Sequence, residues 1–477
     1  MRATDARPSR TRGGGRIALP RGGAKGSDVK TIRDVPTAPG GLPGVGHLHH
    51  LARHRLRFLA SLRQQGPLVR ILLGTSPVYV VNDPALVHQV QSSKGRSFGR
   101  GKQFQRMEPL LGHGVITSDG ELYHRQRRTI QKAFTPAHLD RHLVAIHQQA
   151  DLLCAAWRPG RPVDVLDAMK RLATTVTART LFSGRMTDAV LAQVAEVLPV
   201  VEKAAVERPM TPQVTDRLPL PFIRRGDEAM ARMRVVVREA VAALRDTDRA
   251  AGDDDVVSCL LAARDPDTGA PLDDDLVCDE VIAMLIGGVA NVPTTLAWAW
   301  FHLALRPVAQ ERMLAEIAAS GAPDDVPSRS DLEERLPYTR AVMYEAMRLH
   351  SVQLVTQRTT AAVELGGVLL PCGTDTAYSL HVLHTDPLLF PHPRTFSPER
   401  WLPGRGPEPP RHAFVPFGGG RFKCIGDNFA CAQMLATLAA VGHRWRLRRP
   451  PGLRIGVSVR EPIPSPRGLS LIPQAIT

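Results

Sequence analysis

The chain has 477 residues, of which 5% are aromatic, and its six cysteines form no CxxC pair. They stand at positions 154, 259, 278, 372, 424 and 431. That spacing gives neither a zinc-finger ligand set nor the dense framework of a small disulfide-stapled domain. In a chain this long it reads as reduced thiols, buried or functional. No aromatic-rich RNA-binding motif accompanies the formal charge of +15, so nucleic acid is not an expected partner. No uninterrupted run of about 18 apolar residues occurs, so no membrane insertion is expected. No charged-then-apolar signal peptide opens the chain, and no internal repeat divides it. These absences together predict a soluble, cytoplasmic monomer.

What is present suffices for a large core, with 43% hydrophobic and 22% charged residues. Residues 1–35 hold nine basic and three acidic residues and few large apolar side chains. They are expected to form a flexible basic tail ahead of a domain spanning 36–477. The basic surplus of the body suits an acidic protein partner. Leu51, Phe58, Leu59 and Leu62 share one face of a helix expected around 50–65. Two short β runs, Val69–Leu73 and Val78–Val81, flank a turn at Gly74–Pro77. From about 120 to 350 the apolar spacing is helical. The longest pattern starts near Asp273, runs through Val281–Leu305 and stops before Pro307. Short strands return around 363–370 and at Leu469–Ile472. The fold class is mainly α with a small β-rich subdomain, all one domain.

Residues 414–430 read Phe-Val-Pro-Phe-Gly-Gly-Gly-Arg-Phe-Lys-Cys-Ile-Gly-Asp-Asn-Phe-Ala. The glycines at 418–420 allow positive φ and close approach to a flat partner. Cys424 falls where a helix begins, and free N–H groups there favour a thiolate, the species that ligates iron. A lone cysteine at a glycine-rich turn is ordinarily just buried. Here Phe417, Gly418, Gly420, Cys424 and Gly426 stand together in one register, which favours a metal ligand.

This loop resembles the cysteine loop of the cytochrome P-450 family, Phe-Gly-x-Gly-x-(Arg/His)-x-Cys-x-Gly. The resemblance implies a cytochrome P-450 fold and heme b, iron protoporphyrin IX, with Cys424 as the metal ligand. Phe417, Gly418, Arg421 and Gly426 would surround the cofactor. One position departs: Phe422 stands where the family has a propionate-binding Arg or His, and Arg421 lies one place earlier. Glu345-Ala-Met-Arg348 and, some fifty residues on, Arg400 resemble the family's structural Glu–Arg–Arg triad; alone, Glu-x-x-Arg would be a surface ion pair of little value. In residues 120–134, Tyr123 and Arg127 fit the family's aromatic-x-x-x-Arg helix, with His124 beside them as a further cofactor contact. Arg127 is the expected propionate partner, and Arg358 a further one; a solvated basic helix is the alternative for the first.

The resemblance also implies an oxygen-activating central helix carrying (Ala/Gly)-Gly-x-(Asp/Glu)-(Thr/Ser). Gly287 and Gly288 match and would leave room for oxygen. Ala290 replaces the acid and Asn291 the alcohol, and neither can titrate. Pro293 should bend the helix. Thr294 or Thr295, one turn on, would offer a hydroxyl if the bend shifts the register. The substrate pocket is expected to use Phe98, Phe104, Val289, Val352 and Leu354, with 97–118 as its lid. The implied function is a monooxygenase that hydroxylates or epoxidises an apolar small molecule with dioxygen. Its nearest likeness is to bacterial members that oxidise terpenes. No flavin or nicotinamide fingerprint follows, so electrons would come from an acidic ferredoxin and its reductase. The missing acid and alcohol keep two rivals open: a peroxide-driven or hydroperoxide-isomerising heme-thiolate enzyme, and a non-catalytic heme or ligand-binding protein.

Overall fold

A computed structural model describes residues 30–182, 186–211, 218, 220–245, 256–264, 269–321, 328–404, 409–410 and 412–476. Residues 1–29 of the expected tail lie outside the described residues. The tail's expected boundary at 36 needs correction. Lys30 and Thr31 pair in parallel with Val368 and Leu369, and Val35 is buried in the core.

The β-rich part is built around a five-stranded sheet of β1 (Leu68–Leu73), β2 (Ser76–Val81), β3 (Phe98–Arg100), β4 (Val355–Thr359) and β5 (Asp375–Tyr378), in the order β1-β2-β5-β4-β3. β1 and β2 form a hairpin from Leu68↔Val81 to Leu73↔Ser76, so the second strand starts two residues before the sequence pattern does. Gly74 takes φ +65° in the turn, a conformation without steric cost only for glycine. Strand alternation then decides which side chains of β4 face inward. Gln357 is buried, whereas its neighbour Arg358 turns out to pair with Asp375 at 3.0 Å.

The rest is helical. The elements that position the site are α1 (Lys102–Leu111), α2 (Gly120–Gln131), α3 (Pro136–Ala156), α4 (Val165–Leu181), α5 (Asp274–Ala290), α6 (Val292–Ala304), α7 (Pro337–Leu349) and α8 (Asp427–Arg444). The helix expected from Asp273 to Leu305 is therefore two helices. Asn291 separates them at φ −106° and ψ −38°, and Pro293 sits in the first turn of α6, where its missing N–H costs no bond. The Asp274–Ala304 stretch is long and apolar enough to cross a membrane by length and composition. Of its apolar 18-residue window 72% is buried against protein, as in a core helix.

Adjacent carboxylates on α5 hold the front loop. Asp279 accepts from the His113 N–H at 2.7 Å and pairs with Arg234 at 2.5 Å, while Glu280 accepts from the Val115 N–H at 2.9 Å. A Cβ at Gly112 would meet the Asp279 carboxylate at 2.0 Å, so only glycine permits this contact. The supposed lid at 97–118 is thus a strand, a helix and a loop bonded to the core.

A third buried carboxylate braces the opposite side. Glu345 on α7 accepts from Arg348 Nε and a second guanidinium nitrogen at 2.9 and 2.8 Å, and from Arg400 Nε at 3.0 Å. It also accepts the Ser397 N–H and the Trp401 indole N–H, each at 2.9 Å. Arg348 in turn donates to the carbonyls of His384 and Pro393.

Glu345→Gln removes the charge that compensates a fully buried guanidinium. It should lower stability by about 3–5 kcal/mol, read as a shift of the urea midpoint. Burial raises the Glu280 carboxyl to about 8, opposed by the Val115 N–H. The folded protein keeps a proton there that the unfolded chain releases near 4.5, so stability falls as pH rises through that window. Glu280→Gln should flatten this slope, bringing urea midpoints at about pH 5.5 and pH 7.5 closer together than in the native protein.

Candidate active site

The cysteine loop is shaped by glycine. Gly418 and Gly420 take φ +71° and +64°, and a Cβ at Gly420 would lie 1.7 Å from the Gln91 carbonyl oxygen. The loop's far end is tied to the Glu345 network. Arg348 holds the His384 carbonyl, and His384 Nε2 accepts the Val415 N–H at 3.0 Å. Past the turn, the Cys424 N–H donates to the Phe417 carbonyl at 2.9 Å, three residues before α8 begins.

Cys424 forms part of the floor of a deep cavity with two lobes, of about 360 and 300 Å³. Arg100, Phe104, Gly287, Val292, Phe422, Cys424 and Ala430 border both. Burial pushes the thiol up, and the N–H of Gly426 pulls it back down. Across the cavity stands the broken helix. Gly287 has open space where a side chain would project, whereas a Cβ at Gly288 would meet Thr177 Oγ1 at 2.6 Å. Gly287 therefore leaves room above the cysteine, and Gly288 lets α5 pack on α4. Asn291 borders one lobe with its Oδ1 buried and, among the described residues, without a partner, and Thr295 borders the same lobe.

One edge of the cavity is cationic. Arg127 donates to the Tyr123 hydroxyl at 2.9 Å and to the Lys423 carbonyl at 2.6 Å, and the Tyr123 hydroxyl donates to the Arg421 carbonyl at 2.6 Å. The sequence reading missed Arg100. Its guanidinium lies against the rings of Phe104, Tyr123 and Phe422 at 4.6, 5.3 and 4.4 Å, and donates to the Val115 carbonyl at 2.9 Å. Among the described residues no carboxylate pairs with it, and burial lowers it to about 10. No local motif marks Arg100; Phe422, which vacates the family's cationic position and packs against it, is the one signal that could have led there.

Other expected site residues lie elsewhere. Arg421 turns away to Asp119 at 2.5 Å, and Arg358 to Asp375. His124 touches the Tyr123 ring but borders neither lobe. Ala290 and Thr294 sit on faces of the broken helix that do not border the cavity; Thr295 does. Phe98 is fully buried under the sheet, Val289 packs into the helical core, and Leu354 packs on the outer side of the sheet. Phe104, Val352, Phe417 and Gly418 border the cavity.

An apolar slot with a thiol in its floor and, at one edge, guanidinium groups that no carboxylate among the described residues pairs with fits a flat, apolar, iron-bearing macrocycle with carboxylate arms. The comparisons agree with that chemistry. The family model described as Cytochrome P450 matches residues 36–471. The chain is a cytochrome P450. It is 39% identical to cyclooctatin synthase of Streptomyces melanosporofaciens, over 88% of this chain and 91% of that one. It is 32% identical to pentalenene oxygenase of Streptomyces avermitilis, over 91% of this P450 and 96% of the relative. Its fold matches the retinoic acid bound cyanobacterial CYP120A1 with a TM-score of 0.82 at 21% identity, covering 94% of this chain and 100% of that one. The family brings a heme-thiolate iron cofactor and a monooxygenase activity, an oxidoreductase reaction that adds one oxygen atom.

Gly288→Ala should destabilise this P450 through the clash with Thr177, while Gly287→Ala should leave thermal stability nearly unchanged. Adding Thr177→Ala to Gly288→Ala should recover most of the loss, a coupling measured by comparing melting temperatures around the double-mutant cycle.

Proposed function

We propose that this P450 oxidises a terpenoid, with heme b held by Cys424 and electrons supplied singly by an acidic ferredoxin and its reductase. The observation that carries the reading is the Cys424 thiol, set in the floor of an apolar cavity beneath the Gly287 gap. When bound, the heme iron supplies the chemistry of dioxygen activation. The chain's own residues do the rest.

Cys424 would ligate the iron as thiolate. Arg100 and Arg127 would hold the heme carboxylates, with Tyr123 orienting Arg127 and Gln357 facing inward where Arg358 does not. A buried guanidinium without an anion is costly, so an incoming carboxylate is strongly favoured at Arg100. Glu345, Arg348 and Arg400 would act as scaffold, fixing His384 and through it the loop that presents the thiol. Phe104, Val115, Ile116, Met284, Val352 and Ile463 give the cavity apolar walls suited to a terpene skeleton. The names of the relatives, cyclooctatin synthase and pentalenene oxygenase, support that substrate class.

Native protein reconstituted with heme should show the thiolate signature in its ferrous–CO spectrum. Cys424→Ser should lose it, and Arg100→Leu should release heme to apomyoglobin faster than the native protein does. Incubation with pentalenene, ferredoxin, reductase and NADPH, and separately with hydrogen peroxide alone, tests the activity. Oxidised product with NADPH supports the reading. Product with peroxide only would assign the enzyme to peroxide-driven chemistry, and no product from any terpene tried would remove the terpenoid assignment.

A further inference from the structure

Inserting one atom of dioxygen and reducing the other to water consumes two protons, and positions 290 and 291 offer neither acid nor hydroxyl. A different titratable group borders the cavity. His350, just past α7, borders the same lobe as Asn291 and Thr295. It heads a hydrogen-bonded chain that leads outward: His350 Nε2 lies 2.8 Å from His302 Nε2, and His302 Nδ1 lies 3.4 Å from a guanidinium nitrogen of Arg306.

The tautomers follow from the end of this chain. Guanidinium only donates, so His302 Nδ1 accepts. His302 then carries its hydrogen on Nε2 and donates it to His350 Nε2. His350 is left with its hydrogen on Nδ1. Every donor points from Arg306 toward the cavity. Stacking holds both rings in place: His350 lies flat on Trp298 at 3.8 Å with 2° between planes, and His302 on Phe396 at 4.6 Å with 10°. Asn291, Thr295, Trp298 and His302 recur at helical spacing, so one face of α6 runs from the cavity to this pair.

The surroundings keep the rings neutral. Burial lowers His302 to about 3, with Arg306 and Arg348 adding to the effect, and lowers His350 well below its ordinary value, with His302, His381 and Arg348 adding. A proton passing through such a pair does not come to rest on it.

We propose that His302 and His350 form a proton relay into the cavity, standing in for the acid absent at 290. The receiving group is water held by Asn291 and Thr295. In one passage the His350 Nδ1–H bond breaks and its proton moves to that water. His350 Nε2 takes the proton of His302 Nε2, and His302 Nδ1 takes one from solvent water beside Arg306, which stays charged. One proton crosses and no electron moves. Both rings end in the opposite tautomer, and before the next passage each loses that proton to water and takes one on its other ring nitrogen, so the pair returns to its first state with no net charge gained.

The relay rests on the monooxygenase activity, not on the identity of the terpene. Two measurements on the full-length heme protein test it. Nitrogen NMR of the diamagnetic ferrous–CO form should show His302 protonated at Nε2 and His350 at Nδ1; the opposite tautomers, or a charged pair at neutral pH, would overturn the proposal. The second compares limonene oxidation driven by NADPH, ferredoxin and reductase with oxidation driven by hydrogen peroxide, which brings its own protons and electrons. His302→Phe and His350→Phe keep the stacking but should lower the NADPH-driven rate by at least about tenfold, diverting electrons to peroxide. The peroxide-driven rate should fall far less, and His350→Gln should restore part of the NADPH-driven rate. An equal fall with both oxidants would mean a structural role, and no fall with either would mean no relay; both overturn the proposal. If native protein leaves limonene untouched with both oxidants, the substrate reading is at fault, and the tautomers decide the relay.

Discussion

A single buried carboxylate organises the proximal half of this molecule. Glu345 has no exposed surface and receives N–H donors from Arg348, Arg400, Ser397 and Trp401. A charge in such a place is tolerated only when fully bonded and paired. The same requirement makes it an effective joint. Arg348 has donors to spare, and these fix the His384 carbonyl. The His384 ring then fixes Val415 at the mouth of the cysteine loop. The position of the thiol is thereby tied to a network on α7 about eighty residues earlier in the chain.

The distal half depends on a comparable device with a different purpose. Asp279 and Glu280 on α5 hold the loop between α1 and α2 by its backbone N–H groups. The loop carries Val115 and Ile116, which border the cavity, and the Val115 carbonyl accepts from Arg100. Cavity wall, front loop and buried cation therefore form one bonded unit. With Phe422 in the loop, an aromatic ring occupies the place of a cation, and the Arg100 guanidinium lies against that ring.

Much of the fold was legible in the sequence because it follows from local period and turn chemistry. The Leu51–Leu62 face, the hairpin at Gly74 and the helix starting at Asp274 all came from patterns within a few residues of each other. The Phe417–Gly426 register named the family. Less could be read where one residue of phase decides the outcome. On a strand, Gln357 and Arg358 are adjacent in sequence and face opposite ways. In a 3₁₀ turn, Arg421 points to Asp119 while Phe422 points into the cavity. At the break after Ala290, the phase of α6 brings Thr295 rather than Thr294 to the cavity.

The sequence by itself determined the family, its heme-thiolate chemistry and the mainly helical class. Each is encoded in short motifs whose residues act within a turn or two of one another. Tertiary structure alone decided which cations face the cofactor cavity, that Gly288 serves packing on Thr177, and that His302 meets His350. Those outcomes depend on side-chain direction and on contacts between segments far apart in the chain, and neither is set by local spacing.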